Sequence, residues 1–145
     1  MKNLHLPIAA LALGVLLSAN TCSHKGNATD APLSVIAGSK WELQTLAGTA
    51  VKMPSGVEQP YIELDSTGSR ISGFAGCNRM TGGFKLSEDS ISFPQLVSTR
   101  MYCEATQKEE NAFLEALKAT RTYRIEDGKL VLLGKDEVAE LRRVK

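Results

Sequence analysis

A short stretch near the end of the chain predicts a β-hairpin: Tyr123-Arg124-Ile125-Glu126-Asp127-Gly128-Lys129-Leu130-Val131-Leu132-Leu133. Tyr123 and Ile125 alternate with polar residues, which is the period-two pattern of a strand with one buried face. Asp127-Gly128 is a strong signal for a two-residue turn, and the leucine-rich segment after it forms the returning strand. Because the strands of a hairpin run antiparallel, this stretch predicts an antiparallel sheet.

Other short segments of the chain have the same character. Each carries apolar residues at alternate positions and is bounded by Gly, Asn, Asp, Ser or Pro, as expected of an antiparallel meander. The predicted strands are 40–44, 61–65, 70–76, 83–86, 91–93 and, as an edge strand with Arg142 and Arg143 facing water, 138–144.

One segment has a helical pattern instead. Residues 108–120 place their apolar side chains on one helical face and their charged side chains opposite. The apolar face is Ala112, Phe113, Leu114, Ala116 and Leu117, and the polar face is Glu110, Glu115 and Lys118. The predicted fold class is therefore α+β, mainly antiparallel β, with a single helix packed on the sheet.

The start of the chain has the pattern of a secretory leader, predicted here over residues 1–21. Lys2 gives a positive beginning, residues 6–17 are apolar except for Pro7 and Gly14, and small residues follow. About 20 apolar residues are needed to cross a membrane as a helix, and this run is too short. We therefore expect an exported protein of one domain, over residues 40–145.

Cys22 stands where bacterial lipoproteins carry their lipidated cysteine. Residues 22–39 are rich in small and polar residues and predict a tether behind a membrane anchor. The preceding Ala19-Asn20-Thr21 departs from the usual lipobox, which has Leu three residues before the cysteine. The sequence thus predicts an outer-membrane lipoprotein, facing the periplasm or the cell surface, and leaves a soluble periplasmic protein as the alternative.

The predicted domain carries no net charge. Of 17 basic and 16 acidic residues in the chain, only Lys2, Lys25 and Asp30 precede residue 40, so 15 of each sign remain. The charges are interspersed and form no basic stripe, which argues against a nucleic-acid partner.

The domain also lacks histidine, because His5 and His24 both precede it. This excludes histidine-based triads and the usual zinc sites, and we expect no metal and no cofactor. The glycine-rich residues 73–83 match neither the dinucleotide-binding pattern nor the P-loop, so their glycines are expected to permit turns or bulges. Carboxylates remain for an acid-based hydrolase, with Glu63 and Asp65 or Glu88 and Asp89 as candidate pairs.

Cys77 and Cys103 are predicted to form a disulfide. With Cys22 used for the anchor, two thiols remain in a domain that meets an oxidising compartment. The bond would connect the glycine-rich bend to the start of the helix. Buried free thiols are the alternative.

Two motifs carry a resemblance to a known family. Gly76-Cys77-Asn78-Arg79 is followed by Gly82-Gly83-Phe84, and Ser98-Thr99-Arg100-Met101-Tyr102-Cys103 precedes a helix that contains Glu110, Phe113 and Leu117. In these motifs, and in Trp41 and the closing hairpin, the chain from about residue 40 to 144 resembles the META domain of HslJ-type heat-shock proteins. The family-motif positions are Gly76, Asn78, Arg79, Thr99, Arg100 and Met101.

The resemblance implies an incompletely closed antiparallel meander barrel with one packed helix, in a stress-associated envelope protein. It implies no common ligand or reaction. Our leading interpretation is a non-enzymatic module that binds a protein, peptide or lipid in the gap between sheet and helix. The alternatives are a purely structural role, with the gap filled by Phe113, Leu114 and Leu117, and a carboxylate-based hydrolase.

The lipoprotein hypothesis makes a first prediction. Cys22→Ser should abolish a lipid-sized mass increment and release the protein from membranes, because the acyl chains of the anchor supply the membrane affinity. Mass spectrometry of the purified protein and membrane fractionation measure both effects. A wild-type protein that is soluble and begins at an unmodified Asn20 or Cys22 would contradict the hypothesis.

Overall fold

The computed structural model describes residues 33–145, so the predicted leader and Cys22 lie outside the described residues. These residues form one long helix, α2 (Gln107–Ala119), and a single-turn helix, α1 (Leu33–Ile36). The strands are β1 (Lys40–Leu46), β2 (Thr49–Ala50), β3 (Tyr61–Asp65), β4 (Arg70–Phe74), β5 (Arg79–Gly83), β6 (Lys85–Leu86), β7 (Ile91–Ser92), β8 (Val97–Ser98), β9 (Thr122–Glu126), β10 (Lys129–Leu133) and β11 (Glu137–Val144).

A single antiparallel sheet dominates the fold. Its strand order is β8-β5-β4-β3-β1-β11-β10-β9, with β2 paired to β1 and a separate β6–β7 hairpin. Within residues 33–145 the two end strands β8 and β9 do not pair with each other, so the sheet is not closed. An isolated bridge between Ser90 and Thr122 attaches the β6–β7 hairpin beside β9. The predicted fold class, mainly antiparallel β with one packed helix, is confirmed.

The predicted closing hairpin forms as β9 and β10. Leu130 lies opposite Ile125 and Leu132 lies opposite Tyr123, so the apolar side chains face one another on the buried side. Asp127 and Gly128 both have positive φ, at 51° and 75°. Two positive φ angles in a two-residue loop define the type I′ turn, whose twist matches that of the flanking strands.

The core lies between the sheet and α2. The inward residues of β1, Trp41 and Leu43, are fully buried, as is Ile62 of β3. Phe113 and Leu117 of α2 have no exposed surface, and the helix packs against β1 and β11. The gap between helix and sheet is therefore filled by the protein's own side chains.

The predicted core-facing side of α2 is confirmed at Phe113, Ala116 and Leu117 and differs at two positions. Glu110 is only 3 % exposed, whereas the sequence placed it on the polar face. Ala112 is exposed, although it was assigned to the apolar face, whereas Leu114 is half-buried and packs against the core as expected. The reason is geometric: Glu110 precedes Phe113 by three residues and therefore shares its face, while its charge suggested solvent.

The last strand is also placed differently. The sequence predicted 138–144 as an edge strand, but β11 lies inside the sheet between β1 and β10. Arg142 and Arg143 are exposed, as predicted, and both lie near the end of β11. The interior position follows from pairing with β1, which brings together residues about 100 positions apart, such as Glu42 and Arg142.

The folded part of the chain begins earlier than the sequence suggested. Residues 33–39 were assigned to the tether, yet α1 packs into the domain and Ile36 is fully buried. The indole N–H of Trp41 donates a hydrogen bond of 3.0 Å to the carbonyl oxygen of Ile36. This bond satisfies a buried donor and holds the segment against the core.

The glycine-rich segment forms more strand than predicted. Residues 79–83 form β5, whereas the sequence placed a strand at 83–86 and turns before it.

Gly73 of β4 lies opposite Met80, and a Cβ at Gly73 would collide with the carbonyl oxygen of Tyr61. Glycine at this position permits close backbone approach between β3 and β4.

The packing of α2 makes a second prediction. Leu117→Ala should reduce the free energy of unfolding by about 2 to 5 kcal/mol, because it leaves a cavity in the core. The measurement is denaturant unfolding followed by circular dichroism, with Lys118→Ala on the solvent side of α2 as the control. A loss below about 0.5 kcal/mol, the range of surface substitutions, would contradict the buried position.

Candidate functional site

A buried carboxylate connects α2 to the bend that follows β4. Oε2 of Glu110 accepts hydrogen bonds from the backbone N–H groups of Cys77 at 2.8 Å and Asn78 at 2.7 Å. Oε1 accepts a third bond, of 2.6 Å, from the side-chain amide of Asn78. Three N–H donors compensate the loss of water around a buried charge. Glu110 also stands in the first turn of α2, where the helix dipole favours a negative group.

The amide of Asn78 holds a second segment at the same time. Its Oδ1 accepts bonds of 2.7 Å from both the hydroxyl of Thr99 and the backbone N–H of Met101. Its Nδ2 also donates to the carbonyl oxygen of Met101 at 2.9 Å. Asn78 is 2 % exposed, and its side chain therefore fixes the backbone of residues 99–101 from inside the domain.

A disulfide closes the arrangement. Cys77 and Cys103 are bonded, with their Cα atoms 5.9 Å apart, so the predicted pairing is confirmed. The backbone N–H of Gln107, the first residue of α2, donates to the carbonyl oxygen of Cys103 at 2.9 Å. The disulfide joins residues 26 positions apart in the sequence and stabilises the domain by about 3 to 4 kcal/mol in the chain-entropy model.

Gly76 gives the bend its direction. Its φ is +126°, a conformation that residues with a side chain rarely adopt. This conformation turns the next two backbone N–H groups toward Glu110. A Cβ at Gly76 would also lie 3.2 Å from the terminal methyl of Met53. The backbone angle therefore requires glycine here, whereas the flexible Met53 side chain could shift to admit a Cβ.

The structure brings the family-motif residues together in two layers. Gly76 and Asn78 lie inside, with the disulfide beside them, whereas Arg79, Thr99, Arg100 and Met101 are exposed. Backbone pairing joins the exposed layer, because the N–H of Thr99 donates to the carbonyl oxygen of Arg79 at 3.1 Å. Cys22, the predicted lipidation site, lies outside the described residues.

Beside the family-motif positions, the exposed layer contains Val97 and Tyr102, which the sequence did not single out as site residues. Val97 and Met101 are each 60 % exposed and Tyr102 is 77 % exposed, which is unusual for side chains of this size. Together with Ser98, Thr99 and Arg100 they form what we call segment 97–102. Tyr102 is the variable position of the Thr-Arg-Met-x-Cys motif, and that motif was the sequence signal that could have identified this surface. Glu110 was also among the residues that carry the resemblance. Its burial was not predicted, because a charged side chain on a helix usually faces solvent.

The acidic pairs considered for hydrolysis lie on the surface. Glu63, Asp65, Glu88 and Asp89 are all exposed. The hydroxyl of Thr67 donates to the carboxylate of Asp65 at 2.7 Å, and its backbone N–H donates at 2.9 Å; both bonds lower the pKa of Asp65. A general acid needs a raised pKa, so Asp65 is not suited to that role.

Two further properties concern the part of the chain that the structure describes. No group of three or more His, Cys, Asp or Glu side chains is placed there to hold a metal ion. In the same residues, no helix has the length and apolar character needed to cross a membrane.

The Glu110 network makes a third prediction. Glu110→Gln should lower the free energy of unfolding by about 1.5 to 3 kcal/mol, the range for hydrogen bonds to charged groups. In either orientation, the NH₂ group of the glutamine would face another N–H donor: the backbone N–H groups of Cys77 and Asn78, or the side-chain NH₂ of Asn78. The Asn78 amide cannot rotate to relieve this without losing its bonds to Met101. Denaturant unfolding measures the loss.

Glu109→Gln is the matched control, because Glu109 lies in the same first turn of α2. The substitution removes the same charge but does not disturb the Glu110 network. An equal loss of unfolding free energy in the two variants would contradict the prediction, because only the interaction with the helix dipole is common to both residues.

Comparison with known proteins places this geometry in a family. The META domain family model matches residues 34–145. The chain is similar to a protein from Burkholderia xenovorans whose structure was determined by NMR, with 28 % sequence identity and a TM-score of 0.63. The match covers 77 % of this chain and 86 % of that one.

A second NMR structure shows the same fold at 22 % identity, with a TM-score of 0.59, and the match covers 77 % of this chain and 94 % of the other. No curated protein sequence matches the chain. The family match spans all but the first residue of the described domain, and the chain belongs to the META domain family.

Proposed function

We propose that this protein is an exported, non-enzymatic module of the cell envelope that binds another protein through segment 97–102. Export rests on the leader pattern of residues 1–21, and attachment to a membrane rests on the position of Cys22. The binding role rests on how the domain presents its exposed apolar side chains.

One observation carries the binding role: buried polar groups hold an exposed apolar segment in a fixed conformation. Asn78 bonds to the backbone of Met101 from inside, and the disulfide of Cys103 holds the end of the segment. Met101 and Tyr102 nevertheless face solvent. Exposed apolar patches mark interaction sites, and a segment that is already ordered loses less entropy on binding.

The interior offers less support for a ligand. Phe113 and Leu117 are fully buried between helix and sheet, where the sequence interpretation had suggested a peptide or an acyl chain. Their filled position favours binding at the surface rather than in the gap. The same packing is compatible with the alternative of a purely structural role, in which nothing binds.

In-cell photocrosslinking distinguishes these roles and gives a fourth prediction. A photoreactive phenylalanine in place of Tyr102 should yield a discrete adduct of protein size in the envelope of the producing cells, because a bound partner covers that side chain. The adduct is detected by immunoblot and identified by mass spectrometry.

The control carries the same photoreactive residue in place of Lys118, whose side chain is 57 % exposed on the outer face of α2. Adducts at Tyr102 but not at Lys118 support the proposed function. Their absence at Tyr102, or the same adducts at both positions, would favour the structural role.

A further inference from the structure

Segment 97–102 has features that define the chemistry of a partner, and the following inference rests on the proposed function. Three of the four large hydrophobic side chains that are exposed in residues 33–145 lie within it: Val97, Met101 and Tyr102. Two arginines accompany them. Arg100 belongs to the segment, and Arg79 lies beside it on β5.

The two arginines are available to a partner's acidic groups. Neither forms a salt bridge within the described chain, and Arg79 donates only to the phenol oxygen of Tyr61, at 3.2 Å. Residues 94–103 contain no acidic side chain, and the first carboxylate after them is that of Glu104. Segment 97–102 and strand β5 therefore carry two arginines and no carboxylate, on a domain whose total charge is balanced.

The segment also contains the free edge of the sheet. Strand β8 pairs with β5 on one side, and on its other side it has no strand partner in residues 33–145. The N–H of Thr99 points to β5, where it bonds to Arg79. Backbone groups alternate in direction along an antiparallel strand, so the N–H and C=O of Ser98 point away from the sheet. Such unpaired groups can receive an extended chain.

A groove lies next to this edge and gives room for side chains. Its volume is about 330 Å³, and its lining includes Arg79, Thr81 and Val97. Thr81 lies directly opposite Val97 in the register, so both side chains project from the same, outer face of the sheet. An apolar side chain of an added strand would contact Val97 there, and a carboxylate would reach Arg79.

The chain path separates this surface from the proposed membrane anchor. Leu33 and Ala37 lie in a groove with Ser69 and Phe84, at the end of the β4–β5 hairpin where Arg70 pairs with Gly83. Within segment 97–102, Thr99 pairs with Arg79 at the other end of that hairpin, and Val97 lies opposite Thr81 in the middle of β5. The strands are about 13 Å long from the usual rise per residue, so this length separates Arg79 from the groove at Gly83. The unpaired backbone groups of Ser98 favour a protein over a lipid surface as the partner, because a lipid has no backbone to pair with them.

We infer that segment 97–102 docks an extended, acidic segment of a partner protein as an added strand on β8. The main-chain groups of Ser98 pair with the partner's backbone. Carboxylates of the partner bind Arg79 and Arg100, and its apolar side chains contact Val97, Met101 and Tyr102. Main-chain pairing gives affinity, and the alternation of charge and apolar groups gives specificity.

Selection from a displayed library of random 12-residue peptides tests the inference and gives a fifth prediction. The peptide library is presented to the purified protein, after removal of the leader and with the disulfide intact. Enriched peptides should alternate Asp or Glu with apolar residues. In NMR hydrogen exchange, a synthetic copy of an enriched peptide should slow the exchange of the Ser98 N–H, because that amide acquires a hydrogen-bond partner.

Variants separate charge from strand pairing. Arg100→Glu should weaken peptide binding about tenfold or more, since it places like charges together. Ser98→Pro should abolish binding, because it removes the outward N–H without breaking a bond to β5. The control Arg143→Glu makes the same charge reversal at an exposed position of β11 and should leave binding unchanged. Circular dichroism verifies that each variant is folded; Arg100→Glu remains decisive if Ser98→Pro does not fold.

Three results would overturn the inference. These are enriched peptides without acidic residues, binding that persists in Arg100→Glu, and binding to phosphatidylglycerol vesicles that depends on Arg100 and Tyr102. The crosslinking experiment keeps the proposed function separate. A protein adduct at Tyr102 with no acidic preference among peptides would reject the docking mode and retain the function. The absence of both adducts and enriched peptides would reject both.

Discussion

The carboxylate of Glu110 is buried in the domain and accepts three N–H bonds, and the surroundings of the candidate site depend on it. A charge at 3 % exposure is costly unless its oxygens are satisfied, so the bend after β4 must present its backbone N–H groups to the helix. That demand fixes the angle of Gly76 and the position of Asn78. The register between α2 and the sheet is thus determined by a polar contact as well as by packing.

Asn78 transmits this constraint to the surface. One side chain binds Glu110 through its amide and holds the backbone of Met101 through both its oxygen and its nitrogen. The disulfide between Cys77 and Cys103 connects the same two segments covalently. Since the two connections act in parallel, segment 97–102 keeps its conformation although its side chains face water. An exposed apolar segment that is already ordered loses less conformational entropy when a partner binds.

The open sheet has a second consequence. A closed barrel removes its edges, whereas this sheet ends at β8 and β9. The β6–β7 hairpin is attached beside β9 through Ser90 and Thr122, which covers that end. The other end, at β8, remains free within the described residues. The exposed apolar side chains and unpaired arginines therefore coincide with the uncovered edge, and this coincidence distinguishes the surface from the rest of the domain.

Much of the fold could be predicted from the sequence, because its signals are local. Period-two alternation identified the strand at 61–65, Asp127-Gly128 identified the final turn, and an even pair of cysteines in an exported domain predicted the disulfide. The family motifs also marked the residues around Asn78 before their contacts were known. Each of these signals depends on residues near in sequence or on composition, which a single chain displays directly.

Only the tertiary structure decided which elements meet and which charges are buried. β11 became an interior strand because it pairs with β1 across about 100 residues, and α1 joined the core through the bond from Trp41 to Ile36. Glu110 was assigned to solvent because a carboxylate on a helix usually faces water. Its burial depends on donors from a bend 32 and 33 positions earlier. Hydrogen-bond partners that distant leave no periodic pattern in the sequence, so the charge alone could not indicate its place.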